Sequence, residues 1–289
     1  MEITRISGHI HNGASSFTHV EYGPRELPRD EGVTAVLVPG WVGGIATCAG
    51  LAQGLAEAAG GNLRVVAYDE PLVGTGAYAQ DYRVERLQQV VQAQRAPHVL
   101  AIGHSRGWLT VADAAVGLHE DGKLHSAAGL TPMGGHVLPA WRTVLGVAGE
   151  ILTGPFATSP RHNGLRSIGT VGAVVGRGLT HLAAHPIAAG RQLGETFGAD
   201  MLIQTAAISR RLPTLMVSGG RDFVVPPRLL RARLQEAGYE GQHYRLPVSH
   251  VGALVDYSQA GNLYKGLQRI LPADQGVMDG LPDSTVASA

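Results

Sequence analysis

Apolar residues along this chain fall into two rhythms. Residues 3–11 and 17–22 alternate apolar with polar or are rich in β-branched residues, and the intervening NGASS has turn chemistry, which predicts a hairpin-like pair of strands. Beyond a polar loop holding Pro24 and Pro28, the pattern changes. TAVLVPG (34–40) is apolar without interruption until Pro39 and Gly40, the signature of a strand buried on both faces of a parallel sheet. Residues 45–59 are helix formers and stop at Gly60 and Gly61, where a left-handed C-cap is easiest.

That unit repeats. LRVVAYD (63–69) predicts the next buried strand, 82–94 a helix, PHVLAIGHS (97–105) a strand, 107–118 a helix and HSAAGLTPM (125–133) a strand. The rhythm returns at LPTLMVSGGRD (212–222), followed by a helix over 228–237, a strand in QHYRLPVSH (242–250) and a last helix near 263–271. Strands alternating with helices predict an α/β fold with a mostly parallel, doubly wound sheet. Between residues 134 and 210 the strand signal vanishes over a length no ordinary connection has. The core is therefore expected in 1–133 and 211–272, with 134–210 an inserted helical cap rich in Ala, Gly, Leu and Val over the C-terminal edge of the sheet. Residues 273–289, with Pro, Gly, Asp and Ser and no periodicity, are expected to be a flexible tail.

Composition narrows the function classes. With 289 residues, 44% of them hydrophobic, the chain can bury a full core, and 23 basic residues balance 23 acidic ones. No block of like charge marks a nucleic-acid groove or a polybasic anchor, so small neutral or apolar partners are expected. Residues 1–16 lack a basic start followed by an apolar run, and the apolar stretch 168–190 is broken by Arg177, His181, His185 and Pro186. A cytoplasmic location without stable membrane insertion follows as the expectation. Cys48 is the single cysteine and reads as a small helix residue.

The chemistry gathers around GHSRG (103–107). Glycine supplies 40 of the 289 residues, so the pentapeptide alone means little. Its setting between a predicted buried strand and a predicted helix start is what gives it weight, because that turn presents a serine hydroxyl as a nucleophile. A serine needs a base and a group orienting the base, and reactive groups of such sheets collect at the carboxyl ends of strands. Asp222 closes one predicted strand and His250 the next. Asp69 and Asp256 fit the order less well, and His104 is expected to point into the scaffold, on the side opposite Ser105.

In VPGWVGG (38–44), YDEPLVGTG (68–76), GHSRG, SGGRDFVVPP (218–227) and SHVGALVD (249–256), taken in order, the sequence resembles the α/β-hydrolase fold superfamily, from the Gly40 loop to the last helix. The resemblance implies Ser105 as nucleophile, His250 as general base and Asp222 as its orienting carboxylate. It also implies an oxyanion hole from the backbone N–H groups of Trp41 and Arg106. Two positions depart from the usual pattern: Pro39 stands where a His often precedes the loop glycine, and Trp108 follows the pentapeptide where a small residue is common.

The function expected on this basis is hydrolysis of carboxylic esters through an acyl-enzyme, with an apolar substrate group lodged against Trp41, Met133 and Trp141. The same triad can serve a thioesterase, a lyase or a cofactor-free peroxidase, and the scaffold can also persist as a binding protein without turnover. No cofactor and no metal are expected. HLAAH (181–185) spaces two histidines at i and i+4 but lacks the Glu of the metalloprotease pattern, so both read as polar cap residues. GTGAYA (74–79) matches a dinucleotide fingerprint, yet it is displaced from its strand and no acidic residue follows at the required distance. The expected partner is a small-molecule ester, without nucleic acid, and a homodimer is compatible with the chain.

Overall fold

Continuous apolar runs become central strands here because helices cover both of their faces. In the computed structural model, β3 (Val33–Val38), β4 (Leu63–Tyr68) and β7 (Thr214–Gly219) are buried at every position, as are six of the seven residues of β5 (His98–His104). The structure describes residues 2–12, 15–40, 44–69, 80–134, 183–250, 252–255 and 257–272, with single positions 142, 146, 149, 176 and 180.

An antiparallel pair, β1 (Ile3–Asn12) and β2 (Ser15–Pro24), forms one edge, and β2 runs antiparallel to β4. The remaining strands, including β6 (Ser126–Leu130) and β8 (Gln242–Leu246), are parallel, giving the order β1-β2-β4-β3-β5-β6-β7-β8. From β3 the chain moves to β4 on one side and then to β5 on the other. The carboxyl ends of β3 and β5 therefore flank a topological switch point, where an open α/β sheet leaves a crevice.

Alternate residues of each strand enter different cores. Ala35, Leu37, Val65 and Leu100 pack with Leu51 and Leu55 of α1 (Ile45–Ala58) and Leu263 of α8 (Ala260–Leu267). Val36, Val66 and Ala101 pack on the opposite face with Leu87 of α2 (Gln80–Gln92), Trp108 of α3 (Gly107–Glu120) and Leu230 of α6 (Pro227–Glu236). Each such buried Leu or Val side chain contributes about 1.5–3 kcal/mol. Cys48 lies in α1 with 1% exposure, a packing residue as its sequence context suggests.

Two helices are described within the long connection between β6 and β7. α4 (Pro186–Gly198) begins with a proline whose missing N–H costs nothing at that position, and the Asp200 carboxylate caps α5 (Met201–Ser209) by accepting from the Ile203 N–H at 3.1 Å. The Trp108 indole donates to Thr205 Oγ1 at 2.8 Å and the Gln204 amide donates to Asp113 at 2.7 Å, fixing α5 on α3. The rest of the segment, with Trp141, His181 and most of 135–182, lies outside the described residues, as do GTGAYA and 273–289.

Strand ends fall short of the apolar patterns that predicted them. β8 stops at Leu246 because Pro247 has no N–H for the ladder. β6 stops at Leu130, and Thr131 turns to φ +44°. The last helix begins at Ala260, earlier than expected, after a short helix α7 (Gly252–Val255) and one 3₁₀ turn over Tyr257–Gln259. Among the described residues no helix is long and apolar enough to cross a membrane.

Candidate active site

Ser105 follows β5 directly and precedes α3, with φ +53°, a left-handed conformation unusual for a non-glycine residue. The flanking glycines make that turn possible. A Cβ on Gly103 would lie 2.6 Å from the backbone N and Cα of Trp108, and one on Gly107 would strike the carbonyls of Val38 and Pro39. Strand and helix pack so closely that only hydrogen fits at either position. The Ser105 N–H is spent on the Leu130 carbonyl at 3.0 Å, and its own carbonyl accepts from Trp108 and Met133, at 3.1 and 3.2 Å.

Asp222 and His250 lie in the loops that follow β7 and β8. His250 Nε2 lies 2.9 Å from Ser105 Oγ, and His250 Nδ1 lies 2.9 Å from Asp222 Oδ2. The other carboxylate oxygen, Oδ1, accepts from the N–H groups of Val224 and Val225 at 2.8 and 2.7 Å. Each of the three residues is 5% exposed. A carboxylate held by two backbone donors and facing Nδ1 selects the tautomer with hydrogen on Nδ1, leaving the Nε2 lone pair free to take the serine proton.

The chain has a counterpart for this architecture among solved structures. It matches a candidate lipase (lip1) of Acinetobacter baumannii AYE with a TM-score of 0.64 at 16% identity, covering 92% of this chain and 91% of that one. A bromoperoxidase of Bacillus anthracis matches with a TM-score of 0.63 at 16% identity over 92% and 100% of the two chains. A proline iminopeptidase of Mycobacterium smegmatis gives 0.62 at 15% identity over 91% and 98%. This chain has the α/β-hydrolase fold. No family model and no curated protein matches the sequence.

Within this α/β-hydrolase fold the structure brings Ser105, Asp222 and His250 together. Arg106 stands at the N-cap of α3, so its backbone N–H belongs to the positive end of that helix, beside Ser105. Trp41 and Trp141 lie outside the described residues. Met133 is 6% exposed and belongs to the core cluster that contains Trp108, while its N–H holds the Ser105 carbonyl. Trp108 is fully buried, so the large residue after the pentapeptide packs inward. Asp69, set aside on sequence order, accepts from the Ile45 N–H at 2.8 Å and thereby caps α1. Among the described residues no cluster of three or more His, Cys, Asp or Glu is arranged to hold a metal.

Three side chains at the site make contacts that the sequence did not reveal. His104 is interior, as expected, but it sits behind His250: its Nε2 lies 3.2 Å from the His250 carbonyl, and the two rings are 5.5 Å apart. A carbonyl can only accept, so Nε2 carries the hydrogen. Burial, and next the nearness of His250, pull the His104 pKa down to about 3, so the ring stays neutral. Thr131 Oγ1 donates to the same carbonyl at 3.4 Å from a backbone with φ +44°, strained for a β-branched residue. Arg106 contributes its side chain as well: the guanidinium, 2% exposed, donates to Thr196 Oγ1 at 2.9 Å and to Glu195 at 3.1 Å. It ties the serine turn to α4.

Proposed function

We propose that this protein is a serine hydrolase that cleaves carboxylic esters through an acyl-enzyme. The observation that carries this reading is the unbroken relay from Ser105 Oγ through both nitrogens of His250 to Asp222, with each link at 2.9 Å. In the first step the Ser105 oxygen attacks the ester carbonyl carbon as its proton passes to His250 Nε2, and Asp222 stabilises the imidazolium. The oxyanion meets the Arg106 N–H at the helix terminus, and the tetrahedral intermediate then expels the alcohol, which leaves with the proton from His250. Water repeats the sequence against the acyl-enzyme and releases the acid and free Ser105. Each preorganised donor to the oxyanion contributes a few kcal/mol, about a hundredfold or more in rate.

Solved structures named for a bromoperoxidase, a candidate lipase and a proline iminopeptidase are comparably similar. The fold therefore selects none of these chemistries, and the ester reading rests on the triad and on the low charge of segment 134–210, which favours an apolar substrate group. The test is labelling by a fluorophosphonate probe together with turnover of short p-nitrophenyl esters. Both are expected in the native chain, and both are expected to vanish in Ser105→Ala. Labelling that persists in that variant removes the nucleophile, and ester turnover within tenfold of native in His250→Ala removes the base.

A further inference from the structure

A second concave site lies on the α2-covered face of the sheet, beside the edge formed by β1 and β2. It is a cleft of about 310 Å³ whose lining includes His9, His19, Glu21, Arg29, Arg64 and Arg95. Arg64 is the second residue of β4, and Arg95 lies in the turn leading into β5. Ser105 follows the opposite end of β5, so the length of that strand, about 20 Å, separates this turn from the triad.

The charges here do not cancel. Glu21 is buried and serves two guanidinium groups, Arg64 Nε at 2.6 Å and Arg29 Nη2 at 3.3 Å. Arg64 is held further by Nη2 donating to the Leu27 carbonyl at 2.6 Å, which leaves Nη1 unbonded among the described residues. Arg95 is exposed and has no ion-pair partner among the described residues. Three arginines against one carboxylate leave a surplus of two positive charges while both histidines are neutral. His19 adds a buried Nδ1 that has no hydrogen-bond partner among the described residues. Burial first, with Arg29 and His9 opposing the pull of Glu21, lowers the His19 pKa.

A buried carboxylate that fixes one guanidinium and steadies another adds little to stability compared with apolar packing, because both charges must be desolvated. What it does accomplish is to hold planar donors in place with an edge left over, which is the geometry that recognises an oxyanion. We propose that this cleft binds a compact dianion, a phosphoryl group or a pair of closely spaced carboxylates, at a site separate from Ser105. A volume of about 310 Å³ suits a small metabolite carrying such a group.

The experiment is isothermal titration of the full chain with inorganic phosphate and, separately, with malonate, at constant ionic strength maintained with chloride. At least one dianion is expected to bind the native chain and Ser105→Ala with equal affinity, and the tighter of the two names the group recognised. Arg95→Ala, which removes an exposed side chain that makes no ion pair among the described residues, is expected to weaken binding about tenfold or more and to leave ester turnover unchanged. Arg29→Ala provides a second exposed variant with the same expectation. Absence of binding by both anions overturns the proposal, as does binding that both arginine variants retain in full or that Ser105→Ala abolishes. None of these outcomes bears on the triad, which the fluorophosphonate assay tests.

Discussion

His104 Nε2 and the carbonyl oxygen of His250 are 3.2 Å apart, so the histidine preceding Ser105 holds the backbone of the proposed base. The ring never touches the reacting atoms and acts as a positioning residue. Removing it frees the His250 loop to drift, and displacements of a fraction of an ångström at a proton-transfer site lower kcat more than they raise KM. His104→Ala is expected to reduce kcat for p-nitrophenyl acetate about tenfold or more at nearly unchanged KM. His104→Gln, whose amide can donate to the same carbonyl, is expected to recover most of the loss.

The same ring makes folding sensitive to acid. In the unfolded chain a histidine titrates near 6.5, whereas buried His104 has its pKa pulled down to about 3. Between those values the unfolded state holds a proton that the folded state refuses, so stability that is complete above pH 6.5 is lost as the pH falls toward 3. At pH 5 this one group accounts for up to about 2 kcal/mol. Thermal unfolding from pH 7 to pH 4.5 checks it: the native Tm should fall more steeply than that of His104→Gln. Parallel slopes would contradict the assignment.

Asp222 is committed on both oxygens. Oδ2 faces His250 Nδ1, while Oδ1 accepts from the backbone N–H groups of Val224 and Val225. In Asp222→Asn the amide nitrogen must oppose either His250 Nδ1–H or the two backbone donors. The first arrangement forces the wrong imidazole tautomer and the second leaves buried N–H groups unpaired. We expect kcat to fall by about a thousandfold or more and unfolding to become about 1–3 kcal/mol easier. Steady-state kinetics and urea unfolding on the same preparation separate the two effects.

The order of strands and helices was readable because each apolar run is buried on both faces, so hydrophobicity alone marks β3, β4, β5 and β7. Ser105 and Asp222 were legible for a related reason, since each follows such a buried run, whereas His250 follows β8, which is mostly exposed or half-buried, and was found by its place after the next strand; a parallel sheet delivers all these strand ends to one rim. Thr131 also ends a strand, but a threonine carries no sequence mark for φ +44°, which arises from contacts among β6, β7 and the His250 loop. The Arg106 side chain was equally hidden. Its partners, Glu195 and Thr196, are remote in sequence and lie in a segment whose composition predicts helices but not their placement. The dianion cleft gave no local signal either, since Arg29, Arg64 and Arg95 come from three separate loops and strand ends.

Glu195 provides a lever on the serine turn from outside it. The Arg106 guanidinium is 2% exposed and the Glu195 side chain 33%, so deleting the acid leaves a buried cation with one counter-charge fewer. Glu195→Ala is expected to cost about 1–3 kcal/mol in urea unfolding. Because the backbone of Arg106 adjoins Ser105, the same variant should lower kcat while the triad residues remain intact. Glu195→Gln, which can still accept from the guanidinium, is expected to fall between native and Ala in both measurements.

Gly103 tests whether the Ser105 turn depends on contact between strand and helix. A methyl group there would sit 2.6 Å from the backbone N and Cα of Trp108, and backbone atoms cannot rotate aside as a side chain can. Trp108 is itself locked by its indole bond to Thr205 and by complete burial. Relief therefore requires α3 to move away from β5, which opens the core on that face and shifts Ser105 from His250. Gly103→Ala is expected to destabilise the fold by about 3 kcal/mol or more, or to prevent soluble expression. Gly117, on α3 with open space around its Cβ position, gives the control: Gly117→Ala should be neutral or stabilising by up to about 1 kcal/mol. If thermal unfolding finds the two alanine variants alike, tight apposition of β5 and α3 is not what shapes the turn.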